Sequence, residues 1–152
     1  VSKAMLGQIE RGESTPTIST LWKIASGLQV PLSQFLVPEG LALQRMEAMP
    51  RHHDASGMIV TPLFAFDPVL GFEMFAIELS QDTLSESAPH AAGVVEHLVV
   101  LEGRMELFID GAWQTLSAGD AIRFSADQPH AYRNRNPESA KIHDLIHYPF
   151  SG

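Results

Sequence analysis

The chain predicts a mainly β fold, an antiparallel barrel or sandwich of short strands, with a small all-α segment ahead of it. Two observations carry this expectation. Before residue 50 apolar side chains recur at helical spacing; after it they fall into short alternating runs broken by Gly, Pro and Asp. Charge divides at the same place. Lys3, Arg11, Lys23 and Arg45 balance Glu10, Glu13, Glu39 and Glu47, so the whole formal charge of −8 lies on residues 51–152. The histidines, His52, His53, His90, His97, His130, His143 and His147, all lie there too. We therefore expect two modules, residues 1–37 and 57–152. A linker over 38–56 joins them, in which Pro38, Gly40, Pro50 and the polar run Arg51–His52–His53–Asp54 interrupt any core pattern.

At 152 residues, 45% hydrophobic and 18% charged, the chain can bury a core and is not a disordered polymer. The absence of cysteine excludes a disulfide scaffold, a thiolate zinc site and a cysteine nucleophile. No apolar run approaches the roughly 18 residues of a membrane span, and no signal peptide is visible, so a cytoplasmic protein is expected. Taken whole, the acidic charge argues against nucleic acid; taken by module, it leaves the neutral first segment free to approach a duplex.

In that first segment Ser2 is placed to cap a helix over Lys3–Arg11, which Gly12 ends in the left-handed conformation. Met5, Leu6 and Ile9 give it an apolar face. After the turn at Glu13–Ser14–Thr15–Pro16, Thr17 caps a second helix with Ile18, Leu21, Ile24, Ala25 and Leu28 in one stripe. Val30–Pro31 opens a third, with Leu32, Phe35 and Leu36 facing inward. Three such short helices cannot enclose a core alone, and Val1 is not an initiator Met, so further helices are expected upstream.

The residues VSKAMLGQIERGESTPTISTLWKIASGLQVPLSQFL resemble the back half of the xenobiotic-response-element (lambda-repressor/Cro-like) helix-turn-helix domain, truncated here before its first two helices. Glu10–Arg11–Gly12 followed by Pro16–Thr17 stands where that family has its E-R-G-x-x-x-P-T block. The resemblance implies that Lys3–Arg11 is a recognition helix entering the major groove. Lys3 and Gln8, long and donor-bearing, are the base-edge candidates; Arg11, Ser14 and Thr15 suit phosphates, and Ser2 and Gly7 complete the expected DNA-facing set.

Downstream, Met58–Phe66, Phe72–Leu79, Val94–Leu101, Met105–Ile109, Trp113–Leu116, Ala121–Phe124 and Lys141–Tyr148 read as strands, with Asp110–Gly111 as a hairpin turn. Phe64, Phe66, Phe72, Met74 and Phe75 are core by default, and Phe75 is a candidate wall for a bound small molecule. The segments PHAAGVVEHLVVLEGRMEL and GDAIRFSADQPHAYRN resemble the two cupin motifs, through His90, Glu96 and Gly103 in the first and Gly119, His130 and Asn134 in the second. Ala92 replaces the second histidine of the first motif, and Leu84, Ser125 and Asp127 also depart from the pattern.

This second resemblance implies a double-stranded β-helix, a jelly-roll barrel, with His90, Glu96 and His130 as ligands of a divalent metal: zinc, iron, manganese or nickel. His97, beside Glu96 on a strand, should face the other way. His143 and His147 share a strand face and are ligand-binding candidates if that face is inward. Together the modules imply a one-component transcriptional regulator that binds operator DNA as a homodimer and senses a small-molecule effector in its barrel. The alternatives are a cupin metalloenzyme of dioxygenase or isomerase type, and a metal-free binding module without a switch.

Overall fold

The computed structural model describes residues 1–36, 43 and 45–149; Pro38 and Gly40 of the expected linker lie outside the described residues. Helix α1 spans Lys3–Glu10 and α2 spans Ile18–Leu28. Both start as the sequence predicts. Ser2 Oγ accepts from the Met5 amide at 3.1 Å and Thr17 Oγ1 from the Thr20 amide at 3.1 Å, each filling one of the unpaired donors of a first turn. Gly12, at φ +70°, turns the chain after α1, and Gln29, left-handed at φ 56°, closes α2. A 3-10 turn at Leu32–Phe35 replaces the expected third helix.

The strands are β1 (His52–His53), β2 (Met58–Asp67), β3 (Phe72–Leu79), β4 (Thr83–Ser87), β5 (Val95–Glu102), β6 (Arg104–Ile109), β7 (Ala112–Ser117), β8 (Ala121–Ser125), β9 (His130–Asn134) and β10 (Ala140–His147). They form a six-stranded sheet in the order β1-β2-β3-β10-β5-β8 and a four-stranded sheet in the order β4-β9-β6-β7. Every pairing is antiparallel. Two sheets packed face to face with β10 returning between β3 and β5 make the jelly-roll barrel the sequence predicts. The turn Asp110–Gly111 has both φ values positive, 50° and 78°, as a two-residue hairpin requires.

Strand alternation decides what enters the barrel. Glu73, Phe75, Ile77 and Leu79 of β3, Glu96, Leu98 and Val100 of β5, and Ala140, Ile142, Asp144 and Ile146 of β10 are all buried. His143 and His147 alternate with that last set, on the outer face of β10. The same period places His97 outward, as expected.

Helix α2 closes one end of the barrel with a face slightly rotated from the expected stripe. Ile18 and Ala25 are buried, Leu21 and Trp22 pack on the core, and Leu28 is left exposed. Trp22, four residues after Ile18 and three before Ala25, belongs to the contacting face. Part of the expected linker also joins the barrel: His52 and His53 pair with Val60 and Ile59, and Asp54 accepts from the Ser19 amide.

One glycine is set by a close approach. Gly103, between β5 and β6, has φ +75°, and a Cβ there would stand 2.5 Å from the Ser139 carbonyl oxygen. We expect Gly103→Ala to destabilise the fold by at least about 2 kcal/mol, from left-handed strain plus a backbone clash. Urea unfolding measures this; a loss under about 0.5 kcal/mol, the ordinary range for a surface substitution, would contradict the close approach.

Candidate functional site

The polar residues of the barrel interior cluster around one carboxylate. Glu96 points inward from β5 with no exposed surface. His90, in the loop before β5, brings Nε2 to 3.0 Å from Glu96 Oε1; His130, first residue of β9, brings its Nε2 to 3.3 Å from the same oxygen. Tyr132, two residues along β9 and therefore on the same face as His130, donates its hydroxyl to Glu96 Oε2 at 2.5 Å. Burial works against ionisation of Glu96, but the hydrogen bonds and charge of His130 and His90 hold its carboxyl well below the usual carboxylate range. Burial and the Glu96 charge push the Tyr132 phenol far up.

The tautomer of His130 follows from its other nitrogen. Nδ1 lies 2.8 Å from the Gln128 carbonyl oxygen, which can only accept, so Nδ1 carries the proton. In the neutral ring Nε2 then presents a lone pair to the interior, 3.3 Å from Glu96 Oε1, and a proton there would be donated to that oxygen. Burial lowers the basicity of this ring, yet the hydrogen bond and charge of Glu96 outweigh it and raise the His130 pKa.

His90, Glu96 and His130 each offer one ligand atom, and these atoms lie within 4.8 Å of one another. Imidazole nitrogens and carboxylate oxygens bind first-row metals at about 2.0–2.2 Å, so donors a few ångströms apart suit one ion. The Gln128 carbonyl on His130 Nδ1 and the Tyr132 hydroxyl on the second oxygen of Glu96 are the outer contacts such ligands need. The group expected from the sequence is assembled, and its chemistry fits a divalent metal.

Three further inward residues lie outside the set the sequence suggested. Asp144 of β10 is fully buried; burial and the nearby Glu96 charge hold its carboxyl far above the normal range, and its Oδ1 is unpaired. Glu73 of β3 accepts from the Ser33 amide at 2.9 Å and from the Tyr148 hydroxyl at 2.7 Å. Burial raises its pKa against the opposing effect of these bonds. Trp22 reaches in from α2: its indole Nε1–H lies 2.7 Å from His90 Nδ1 and 3.0 Å from Nε2, with ring centroids 4.7 Å apart. Ile18, Trp22, Met58, Val60, Tyr132 and Asp144 line a cavity of about 30 Å³, enough for a water-sized occupant.

The remaining candidates divide. Phe75 is fully buried in the interior, 6.1 Å from the Trp22 ring. His143 and His147 do not join the interior. Their strand face is the outer one, and Asp144, next to His143, takes the inward place instead. In the helical segment Lys3, Gln8, Ser14 and Thr15 are exposed, Ser2 is engaged as the α1 cap, and Gly7 is half-buried under the Arg11 guanidinium. Arg11 itself forms a bidentate pair with Glu13, both contacts 2.9 Å.

A helix-turn-helix family profile matches residues 1–35 and a cupin-domain profile matches residues 77–146. The HTH-type transcriptional regulator SutR of Escherichia coli (strain K12) is 50% identical over 153 residues, spanning 99% of this chain and 83% of that protein. The chain belongs to the helix-turn-helix transcriptional regulators that carry a cupin domain. The crystal structure of an HTH_3 family transcriptional regulator from Vibrio cholerae matches this regulator with a TM-score of 0.82 and 42% identity, over 99% of this chain and 82% of that one. The cupin domain of an XRE family transcriptional regulator from Enterobacter cloacae matches with a TM-score of 0.61 and 50% identity, over 62% of this chain and 99% of that one. These relatives are regulators, in keeping with a regulator and not an enzyme here.

Glu73 offers a test of how the regulator's helical segment is tied to its barrel. A carboxyl whose folded pKa is raised contributes most at low pH and loses that contribution as pH rises through the folded value. Glu73→Gln keeps an acceptor for the Ser33 amide and removes the titration. The variant should therefore gain stability relative to the parent between pH 4 and pH 7, measured by thermal unfolding across that range. A pH-independent difference would contradict the raised pKa.

Proposed function

We propose that this chain is a one-component regulator whose α1 reads operator DNA and whose barrel senses a small-molecule effector through a divalent metal held by His90, Glu96 and His130. The observation that carries the reading is the buried His–Glu–His group, reached by a side chain of the helix that directly follows α1. Three protein ligands leave positions open for water or an effector. Zinc, iron, manganese and nickel all accept this donor set. Phe75 supplies apolar wall to the effector, and Asp144 Oδ1 offers it an acceptor.

On DNA, Lys3 and Gln8 meet base edges, while Arg11, Ser14 and Thr15 hold phosphates and Ser2 and Gly7 border the groove. Arg11 exchanges Glu13 for a phosphate at little cost, since both side chains of that pair are exposed. A homodimer presents two such helices to half-sites about 34 Å apart. The acidic charge of residues 51–152 faces away from the duplex. These functions place the protein in the cytoplasm, with the chromosome.

Two measurements test the reading separately. Calorimetry with zinc should give one ion per chain, and His130→Ala should weaken binding by at least about a hundredfold, more than the loss of an outer-shell contact. Fluorescence anisotropy on duplexes selected from a random pool should give binding that weakens steeply with salt, with a smaller salt slope for Arg11→Ala. Absence of zinc uptake sinks the metal centre; absence of salt-dependent duplex binding sinks the DNA reading.

A further inference from the structure

Trp22 and a metal ion compete for the same imidazole. The hydrogen bonds around His90 fix its tautomer. Nε2 lies 3.0 Å from Glu96 Oε1, a carboxylate oxygen that can only accept, so Nε2 carries the proton. Nδ1 then holds the lone pair and accepts the Trp22 indole N–H at 2.7 Å. The opposite tautomer would set the Nε2 lone pair against the carboxylate and leave the indole with the more distant nitrogen, at 3.0 Å.

Metal ligation is incompatible with this arrangement through either nitrogen. A neutral imidazole that ligates through Nε2 carries its one proton on Nδ1, and that proton would face the Trp22 N–H across 2.7 Å, donor against donor. Ligation through Nδ1 uses the lone pair that the indole occupies. On His130 the Nδ1 proton is already committed to a backbone carbonyl, and Nε2, 3.3 Å from Glu96 Oε1, faces no competing donor.

We propose that Trp22 is a latch between the two modules: it docks α2 on His90 while the barrel holds no metal, and His90 releases it on becoming a ligand. This rests on the metal reading given above and adds how that site reaches the DNA-binding end. The path is short. Trp22 lies in the middle of α2, α2 contributes Ile18 and Trp22 to the cavity wall beside Asp144, and only the turn at Glu13–Pro16 separates α2 from α1. The other polar tethers, the Ser19 amide on Asp54, the Ser33 amide on Glu73 and the Phe66 amide on Ser33 Oγ, involve no ligand residue and persist. Release therefore re-seats α2 and its Trp22 without detaching the helical segment. In the same motion it opens the small cavity to occupants larger than water.

The test uses the full chain with zinc ion as the probe. In a Trp113→Phe background Trp22 is the single tryptophan. Zinc should shift its emission to the red, increase its quenching by acrylamide, and speed amide exchange in α2 while β5 and β10 are unchanged. Trp22→Phe in the parent chain should bind zinc about fivefold more tightly by calorimetry, since one hydrogen bond no longer competes. Trp22→Leu should change affinity in the same direction; a variant that merely folded less well would bind zinc more weakly. Zinc uptake with unchanged Trp22 emission and no gain in either variant overturns the latch and leaves the metal centre standing. No uptake by the parent or by Trp22→Phe overturns both.

Discussion

A charged carboxylate with no solvent exposure is the constraint around which this barrel is arranged. Removing Glu96 from water carries a penalty of several kcal/mol, which only well-placed hydrogen bonds and opposite charge can offset. Two imidazoles converge on one of its oxygens and a tyrosine hydroxyl on the other. The consequences spread outward along the strands. Tyr132 must sit two residues from His130 to share its face, His130 must be oriented by the Gln128 carbonyl, and the Asp144 carboxyl is held far above its normal range because a second interior charge beside Glu96 has no partner. Each is a requirement of the first charge.

The helical segment meets the barrel on the same terms. Besides the apolar contact of Ile18, Ala25, Leu32 and Leu36, polar bonds cross: the Ser19 amide to Asp54, the Ser33 amide to Glu73, the Phe66 amide to Ser33 Oγ and the Trp22 indole to His90. In three of these the helical segment donates and the barrel accepts; at Ser33 Oγ the direction reverses. Two donors are backbone amides near the start of α2 and at the 3-10 turn that follows it, groups that need outside partners because their own turn has none to offer. The third is a side chain, and it ends on a residue of the His–Glu–His group. The bond at the centre of α2 is thus the one that ties the helical segment to that group.

Much of this was legible in the sequence, and what was not has physical reasons. The helix caps Ser2 and Thr17, the hairpin at Asp110–Gly111 and the strands with apolar alternation were all anticipated, because local chemistry dictates them. Strands β4 and β9 were missed. In Thr83–Ser87 the inward face is Thr83, Ser85 and Ser87 while the apolar Leu84 points out, and the inward positions of β9 are His130, Tyr132 and Asn134, so a polar interior erases the signal that alternation normally leaves. The same cause hid Asp144, which reads as a surface acid between two histidines until β10 is known to turn it inward. His143 and His147 share a strand face, as their spacing predicts, but spacing does not say which face; register, set by pairing with β3 and β5, sends them out. Trp22 did carry a signal, its spacing from Ile18 and Ala25, but a stripe drawn through Leu21 and Leu28 passed beside it.

The division of charge gives the architecture its last piece of logic. An acidic barrel and a near-neutral helical segment would gain little from each other electrostatically at long range, within the screening of physiological salt. Their association therefore depends on the short-range contacts of one small helix and the 3-10 turn after it, and a contact worth about 1 kcal/mol is a real share of so small an interface. Population of two arrangements shifts only by the difference in free energy that a ligand sees between them. An interface held by few polar bonds, one of which ends on an imidazole of the buried His–Glu–His group, is the condition under which a change at that group can reset it. A larger apolar interface on α2 would have made the two modules one rigid body, insensitive to what the barrel holds.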